Sequence, residues 1–466
     1  MPLSIPSFTE EFRLVSPPDV GSGSTPKKDV LRPMQYLGSK LRALDEIVEV
    51  ARRMKSEPQA VLDIFSGTSV VSQALAGAGF RVVASDAAFF NATIARSLLG
   101  VGRTGSGSFP DLLDRLSPTP VMTPGRSVLE PWIDEERRGL ERRDVDVLLE
   151  VSRLVPQIWR PEGASAEQRA QFDALKNSQR TAFHLQNLIA MHYAGTYFGL
   201  TQAAELDRLR VAIHRLRDDG SIGPWQEDVL LTALLSAASA AVFSPGKHFA
   251  QPHRISENKD LSFIRKRLLQ DRSVDIWTIF HRKVAEVVAH AAQAGTGHEA
   301  YQATMEAYTE RTIPIPRVGL IYADPPYTAQ QYSRFYHVPE TLATYRIPKL
   351  QQSHGIVTQG LYPEDRYKSR FCSKREAPKA FGDLLGFSQA IGANLMISYS
   401  GTSSGESGND RMISLDDLLG LCRHYYPLRG VNIMELKFEY RQFNRNASAV
   451  SGRLDKEYII VCERPC

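Results

Sequence analysis

The sequence predicts an α/β fold: a mostly parallel sheet with helices on both faces, interrupted along the chain by a largely helical insertion. Residues 61–86 run as a short apolar strand, a tight turn, a helix and a second strand. Strand-like apolar runs return at 318–322, 395–398 and 458–462. Between about 135 and 310 apolar residues instead recur at helical spacing, as at Leu206, Leu209, Ile213 and Leu216. Together these patterns predict a Rossmann-like architecture.

The order of these patterns divides the chain into four parts. Residues 1–30, rich in Pro and Ser, predict a disordered or extended arm. Residues 31–134 and 311–466 contain the strand-like runs and predict two halves of one sheet domain, separated by the helical insertion at 135–310. The most apolar stretch, Val229–Phe243, is shorter than the ~20 residues needed to cross a bilayer. It predicts a buried helix, so no membrane association is expected.

The turn after the first strand has the character of a nucleoside-cofactor site. The turn has the sequence Asp63-Ile64-Phe65-Ser66-Gly67, and the next helix begins at Thr68. Asp86 ends the second strand, and its distance from Gly67 is close to the ~20 residues expected for a ribose-binding acid. The G-x-G-x-x-G and G-x-x-x-x-G-K patterns, which serve pyrophosphate and phosphate groups, are missing. S-adenosylmethionine has no pyrophosphate and fits this pattern, although any doubly wound protein could contain such a unit.

The sequence Asp324-Pro325-Pro326-Tyr327 follows the third strand-like run directly and is the sequence that amino-methyltransferases place at a strand end. An exocyclic amino nitrogen is a poor nucleophile because its lone pair is delocalised. The Asp324 carboxylate and the Pro325 carbonyl can each accept one amino hydrogen, while two prolines stiffen the backbone. Tyr327 offers a flat face for a base. The alternative is a proline-bracketed turn after a core strand.

A third segment, Met34-Gln35-Tyr36-Leu37-Gly38-Ser39-Lys40, precedes the cofactor turn. With these motifs in this order, the chain resembles the Dam-like class of DNA adenine-N6 methyltransferases, over residues 31–100 and 318–463. The turn at Asp63–Gly67 departs from the more usual Glu-Pro-Phe-x-Gly. The alternative for the third segment is an N-terminal turn with a solvated lysine.

The resemblance implies S-adenosylmethionine as cofactor and adenine in double-stranded DNA as substrate, flipped out of the duplex. It assigns catalysis to Asp324, Pro325, Pro326 and Tyr327. It implies a cofactor-binding half at 31–134, target recognition at 135–310 and a catalytic half at 311–466. The implied cofactor-binding residues are Tyr36, Gly38, Lys40, Asp63, Phe65, Ser66, Gly67, Thr68, Asp86 and Asp324.

Other substrates and roles stay open at this point. The same motif geometry can serve cytosine N4, adenine in RNA or a glutamine amide in protein. An inactive relative could bind DNA or a partner protein instead. A restriction endonuclease or another defence-system protein is the partner that a modification enzyme of this kind implies. The stretch Gly401–Gly408 predicts a flexible loop near the site.

Composition permits DNA binding without demanding it. The 466 residues include 42% hydrophobic and 23% charged residues, with a net charge of +4. A protein on DNA needs a basic face more than a basic total, and most charge runs are solvated helix faces. The DNA contacts that the sequence suggests are Lys247, His248, Arg254, Arg265, Lys266 and Arg334.

The cysteines suggest a reducing compartment. The four of them show no C-x-x-C spacing, so neither a metal site nor a disulfide framework is expected. The charged and proline-containing start does not predict a secretory signal. A cytoplasmic location at the nucleoid is therefore expected.

Overall fold

A computed structural model describes residues 30–54, 56–103, 108–117, 126–177, 183, 186–255, 262–401, 411–427, 430–436 and 456–464. Most of two predicted features, residues 1–29 of the arm at 1–30 and residues 402–408 of the loop at Gly401–Gly408, lies outside the described residues, and Gly401 itself ends a strand.

The strands of the described residues form a large sheet and a small hairpin. They are β1 Ala60–Asp63, β2 Arg81–Asp86, β3 Glu299–Gln302, β4 Leu320–Ala323, β5 Gln352–Ser353, β6 Ile356–Val357, β7 Asn394–Gly401, β8 Val431–Glu435 and β9 Lys456–Cys462. The sheet has the order β3-β2-β1-β4-β7-β9-β8, and β5 pairs with β6. The first five strands of that order are parallel, and β9 joins them in antiparallel register to both neighbours.

Helices precede, separate and follow these strands. They are α1 Leu44–Arg52, α2 Val70–Gly77, α3 Phe89–Leu98, α4 Phe109–Leu116, α5 Arg126–Arg142, α6 Val145–Leu154, α7 Ala166–Asn177, α8 Leu188–Tyr193, α9 Leu200–Asp218, α10 Pro224–Ala241, α11 Ser262–Arg272, α12 Ile276–Ala291, α13 Met305–Thr309, α14 Tyr332–Phe335, α15 His337–Thr344, α16 Ala377–Ala390 and α17 Leu415–Tyr425.

The two faces of the sheet bury different side chains of the same strands. Val61 of β1 and Leu320 of β4 pack with α1 and α2, whereas Leu62 and Ile321 pack with α16 and α17. This split follows from the two-residue period of a strand, which sends successive side chains to opposite faces. The predicted α/β fold, with helices on both faces of a largely parallel sheet, is confirmed.

The helical region packs against the sheet domain through a shared core. Helix α10 contacts α3, α9 and α12 and is buried along most of its length, which confirms the helix predicted at Val229–Phe243. At its edge, the Arg96 guanidinium pairs with the Asp228 carboxylate at 2.7 Å. The chain returns to the sheet at β3, inside the range that the sequence gave to the insertion.

Within the described residues, no helix combines the length and the apolar character needed to cross a bilayer.

Candidate active site

A cavity of about 370 Å³ opens at the carboxyl ends of β1 and β4. The two strands lie side by side in parallel, with Val61 opposite Leu320 and Asp63 opposite Tyr322. The turn at Phe65 and the turn at Asp324 therefore leave the sheet at the same edge, and both line the cavity. Ligands of open α/β sheets bind at this edge. The two turns therefore meet at one site, and the cavity volume lies within the roughly 300–1,000 Å³ of small-molecule pockets.

The turn after β1 is fixed by the acid at the end of β2. The Gly67 amide donates to one carboxylate oxygen of Asp86 at 3.0 Å, and the Ala88 amide donates to the other at 2.9 Å. The Ser66 amide also donates to the Ser85 carbonyl at 2.9 Å. Burial raises the pKa of Asp86, and these amide donors oppose the rise. Asp86 thus shapes the turn as well as lining the cavity.

Asp63 presents an unused acceptor in the cavity. One of its oxygens accepts from the Ser72 hydroxyl at 2.6 Å, while the other has no hydrogen-bond partner among the described residues. Burial raises the pKa of Asp63 to about 7. The Ser66 hydroxyl and the side-chain oxygen of Asn91 are likewise buried without a partner in that part of the chain, and both residues line the cavity. Because buried polar groups are normally paired, this lining suits a polar ligand that supplies donors.

The segment around Tyr36 packs against Tyr336, which directly precedes α15. The Tyr36 ring stacks on the Tyr336 ring at 4.5 Å, and the Leu37 amide donates to the Tyr336 hydroxyl at 2.7 Å. Gly38 has φ of +71°, and a Cβ there would lie 2.7 Å from the Tyr332 hydroxyl. A larger residue would therefore be strained and crowded at Gly38. Tyr36, Gly38 and Lys40 all line the cavity, together with Phe65, Gly67 and Thr68.

A largely buried cluster of three charged side chains includes Asp324. The Lys40 ammonium lies 3.0 Å from an Asp324 carboxylate oxygen and 3.6 Å from a Glu457 oxygen. The Lys40 and Glu457 side chains are 4% and 3% exposed, and that of Asp324 is 20% exposed. Burial raises the pKa of Asp324 to about 6; Lys40 opposes the rise and Glu457 adds to it. Burial lowers the pKa of Lys40, but the two carboxylates outweigh it and leave the value well above normal.

The rest of the predicted catalytic sequence is divided between the cavity and the core. Pro326 lines the cavity, whereas Pro325 is buried and Tyr327 is half-buried, and neither belongs to the lining. The Lys40 ammonium lies 5.8 Å from the centre of the Tyr327 ring, and the Arg411 guanidinium lies 5.2 Å from it. The Tyr327 carbonyl accepts from the Met412 amide at 3.1 Å. The ring is therefore held beside the charged cluster.

Two of the suggested DNA contacts are engaged in ion pairs within the helical region. The Lys247 ammonium lies 2.8 Å from the Asp271 carboxylate, and it also donates to the carbonyls of Ala240 and Val242. Arg265 forms two hydrogen bonds with the Asp146 carboxylate, at 2.6 and 2.9 Å. Lys247 therefore caps the C-terminal end of α10, which is a structural role.

The other four suggested contacts differ in burial and in their neighbours. His248 is buried, and Lys266 is exposed on α11. Arg254 is exposed and donates to the Gln359 side chain at 2.5 Å. Arg334 is exposed beyond the turn at Asp324, with its guanidinium 4.7 Å from the centre of the Tyr362 ring. Arg254 and Arg334 thus both contact the segment that follows α15, although neither lines the cavity.

Sequence reasoning assigned no site role to Glu457, Tyr332, Tyr336 or Glu340. The burial of Glu457 could have been predicted, because strand alternation places this residue on the same face as the buried Ile459. Both oxygens of Glu340 accept backbone amides at the start of α3, from Phe89 and Phe90. Such a carboxylate stabilises a helix start, but no sequence pattern relates Glu340 to a helix so distant along the chain.

The chain is similar to two modification methylases among curated proteins. It is 22% identical over 419 residues to the modification methylase LlaI of Lactococcus lactis subsp. lactis, covering 90% of this chain and 53% of that protein. It is 22% identical over 368 residues to the type II methyltransferase M.FokI of Planomicrobium okeanokoites, covering 79% and 44%. The chain thus spans about half the length of these relatives. No family model and no solved structure matches it. Both of these relatives are named as methylases or methyltransferases.

Proposed function

We propose that this chain transfers a methyl group from S-adenosylmethionine to the N6 amino group of adenine in double-stranded DNA. The observation that carries the proposal is the position of Asp324. Its carboxylate lies at the same strand edge as the turn at Phe65 and lines the same cavity. An amino-group acceptor and a nucleoside-cofactor turn are thereby combined in one site.

The residues that line the cavity fit the proposed cofactor. Asp86 and the turn at Gly67 would hold the ribose, and Tyr36, Gly38 and Lys40 would flank the methionine end. The unpartnered oxygen of Asp63 would accept from the methionine ammonium, which would favour the charged form of this carboxylate. Bound there, S-adenosylmethionine supplies an electrophilic methyl group.

The catalytic work of the chain is positioning. The Asp324 carboxylate would accept a hydrogen bond from one hydrogen of the target amino group, and the Pro325 carbonyl would accept one from the other. Transfer would release S-adenosylhomocysteine, and the methylated amino group would then lose one proton to Asp324 or to water. Holding reactants in this way supplies roughly 7–11 kcal/mol of a barrier. Stacking on Tyr327, worth roughly 1–3 kcal/mol, would offset much of the few kcal/mol needed to flip the base.

The proposal extends to the organisation and setting of the chain. Residues 31–134 would serve the cofactor, 311–466 the chemistry and 135–310 the target. The names of the relatives support a role in modification. A restriction endonuclease or another defence-system protein would be the functional partner, and the cytoplasm at the nucleoid would be the place of action.

A product analysis tests the proposal. Purified protein is incubated with methyl-labelled S-adenosylmethionine and unmethylated genomic DNA, and the nucleosides are separated by mass. We expect label in N6-methyladenine, no label with Asp324→Ala, and cofactor affinity retained by that variant. Label in N4-methylcytosine, or in RNA or protein, would replace the proposed substrate. Binding of cofactor and DNA without transfer would indicate an inactive relative.

A further inference from the structure

Positive charge is concentrated between the end of α15 and the first turn of α16. Residues 346–379, here called the basic segment, contain eight Lys or Arg and three Asp or Glu, a formal net charge of +5. The whole chain carries +4. The helical region at 135–310 contains 22 Lys or Arg and 23 Asp or Glu, a net charge of −1. The charge of the basic segment is therefore suited to a DNA-facing surface.

The basic segment borders the cavity on both of its arms. Arg346 and Pro348 line the cavity where the segment leaves α15, and Pro363, Arg366 and Tyr367 line it where the segment returns. A base that entered the cavity from this side would bring its duplex against the basic segment.

Between these arms the segment forms an antiparallel ribbon. The Glu364 amide donates to the Lys349 carbonyl at 2.8 Å, the Gln351 amide donates to the Tyr362 carbonyl at 2.7 Å, and β5 pairs with β6 beyond them. The base of the ribbon is anchored, because the Tyr197 hydroxyl donates to the Gly360 carbonyl at 2.9 Å.

The tip of the ribbon is exposed. Residues 352–356 all face solvent, and Ile356 is 73% exposed. The tip also carries Gln352, Ser353 and His354. These side chains can hydrogen-bond to base edges, and an apolar side chain can contact the methyl group of thymine. The major groove of DNA is wide enough for a two-stranded ribbon.

We propose that the ribbon enters the major groove of DNA beside the target base and reads its sequence, while the basic segment contacts the phosphates. This inference rests on the proposed function, since it names the element that recognises the substrate. It moves the main DNA contact away from the helical region. Ion pairs occur in both regions: Lys247 and Arg265 pair with Asp271 and Asp146 in the helical region, and Lys349, Arg370 and Arg375 pair with Glu364, Asp383 and Glu376 at the basic segment. Only the basic segment combines a net positive charge with a place at the cavity.

The phosphate contacts are tested by the salt dependence of DNA binding, which needs no methyl transfer. The double variant Lys368→Ala, Lys374→Ala removes two exposed charges of the basic segment. Each lost phosphate contact reduces the slope of log K against log salt by about 0.9, so the slope should fall by about 2. The matched control, Arg265→Ala with Lys266→Ala on α11, should leave it unchanged. The reverse pattern would overturn the inference.

The sequence contacts are tested by methylation context. The variants Gln352→Ala, His354→Ala and Ile356→Ala change exposed tip residues, so urea midpoints and cofactor affinity should stay the same. Long-read sequencing of DNA from expressing cells should show a relaxed or altered site. An unaltered site in all three would overturn the inference even though DNA is methylated. Absence of methylation by the parent protein would instead defeat the proposed function.

Discussion

Replacing Asp324 with asparagine should abolish methyl transfer and make the protein more stable near neutral pH. The charged cluster contains one ammonium and two carboxylates, so it carries a net negative charge in a largely buried place. Asp324→Asn keeps the shape of the side chain and removes one charge. Lys40 and Glu457, 3.6 Å apart, then remain as a neutral pair.

The size of the gain follows from proton binding. Burial raises the pKa of Asp324 from 3.8 to about 6, so the folded chain binds this proton more tightly than the unfolded chain does. Well below pH 3.8, both states are protonated and the group costs no stability. As the pH rises to 6 the folded chain loses stability, and above pH 6 the full cost is present. At 1.36 kcal/mol per pKa unit, the cost is at most about 3 kcal/mol.

Urea unfolding from pH 4 to pH 8 measures this effect. The stability difference between Asp324→Asn and the parent should grow in favour of the variant up to pH 6 and then level off. Asp146→Asn is the matched control, because the hydrogen bond from Arg265 lowers the pKa of this exposed carboxyl from its ordinary 3.8. The stability that Asp146 contributes is therefore lost only in more acidic solution, and the difference between this variant and the parent should stay nearly constant from pH 4 to pH 8. A variant that is about 3–5 kcal/mol less stable above pH 6 would show that Lys40 requires Asp324 as its partner, and would refute the reasoning.

Three further changes test other parts of the site. Tyr327→Ala should weaken capture of a fluorescent adenine analogue by roughly 1–3 kcal/mol; undiminished base flipping would contradict the stacking role. Glu457→Gln should move the acidic limb of kcat/KM, expected near pH 6, to lower pH, because Glu457 adds to the burial that raises the pKa of Asp324; an unmoved limb would exclude this influence. Gly67→Ala should lower the free energy of unfolding by about 1–2 kcal/mol and reduce cofactor affinity in equilibrium dialysis. Gly67 has φ of +49°, and the new Cβ would lie 2.9 Å from the Tyr36 ring. Unchanged affinity would show that this turn does not contribute to cofactor binding.

The sheet could be predicted where its strands are buried on both faces. β1, β4 and β7 read as apolar runs because central parallel strands are covered by helices on each side. β3 was missed because Glu-Ala-Tyr-Gln, at the sheet edge, alternates buried and partly exposed residues and contains no such run. The hairpin of β5 and β6 was missed for a related reason, since its exposed residues bury too little apolar surface to leave a pattern.

The meeting of the two turns could be predicted because parallel strands deliver their carboxyl ends to one edge. The partner of each charged side chain could not be predicted from the sequence. Lys40 and Glu457 lie near opposite ends of the chain and meet through the order of the sheet. Lys247 looked available for DNA, yet its ammonium is held by Asp271 on another helix. Sequence shows how much charge a segment carries, and only tertiary structure shows what neutralises it.

Hydrogen-bond partners also distinguish buried acids with a structural role from buried acids that are candidates for ligand binding. Burial raises the pKa of both Asp63 and Asp207 to about 7. In Asp207, one oxygen accepts from the Ile189 amide and the Tyr345 hydroxyl, and the other accepts from the Ala190 amide. Its acceptors are engaged in holding α8. One oxygen of Asp63 has no partner among the described residues, and Asp63 lines the cavity. Burial alone would select both acids, whereas unused hydrogen-bonding capacity at a cavity selects Asp63 for ligand binding.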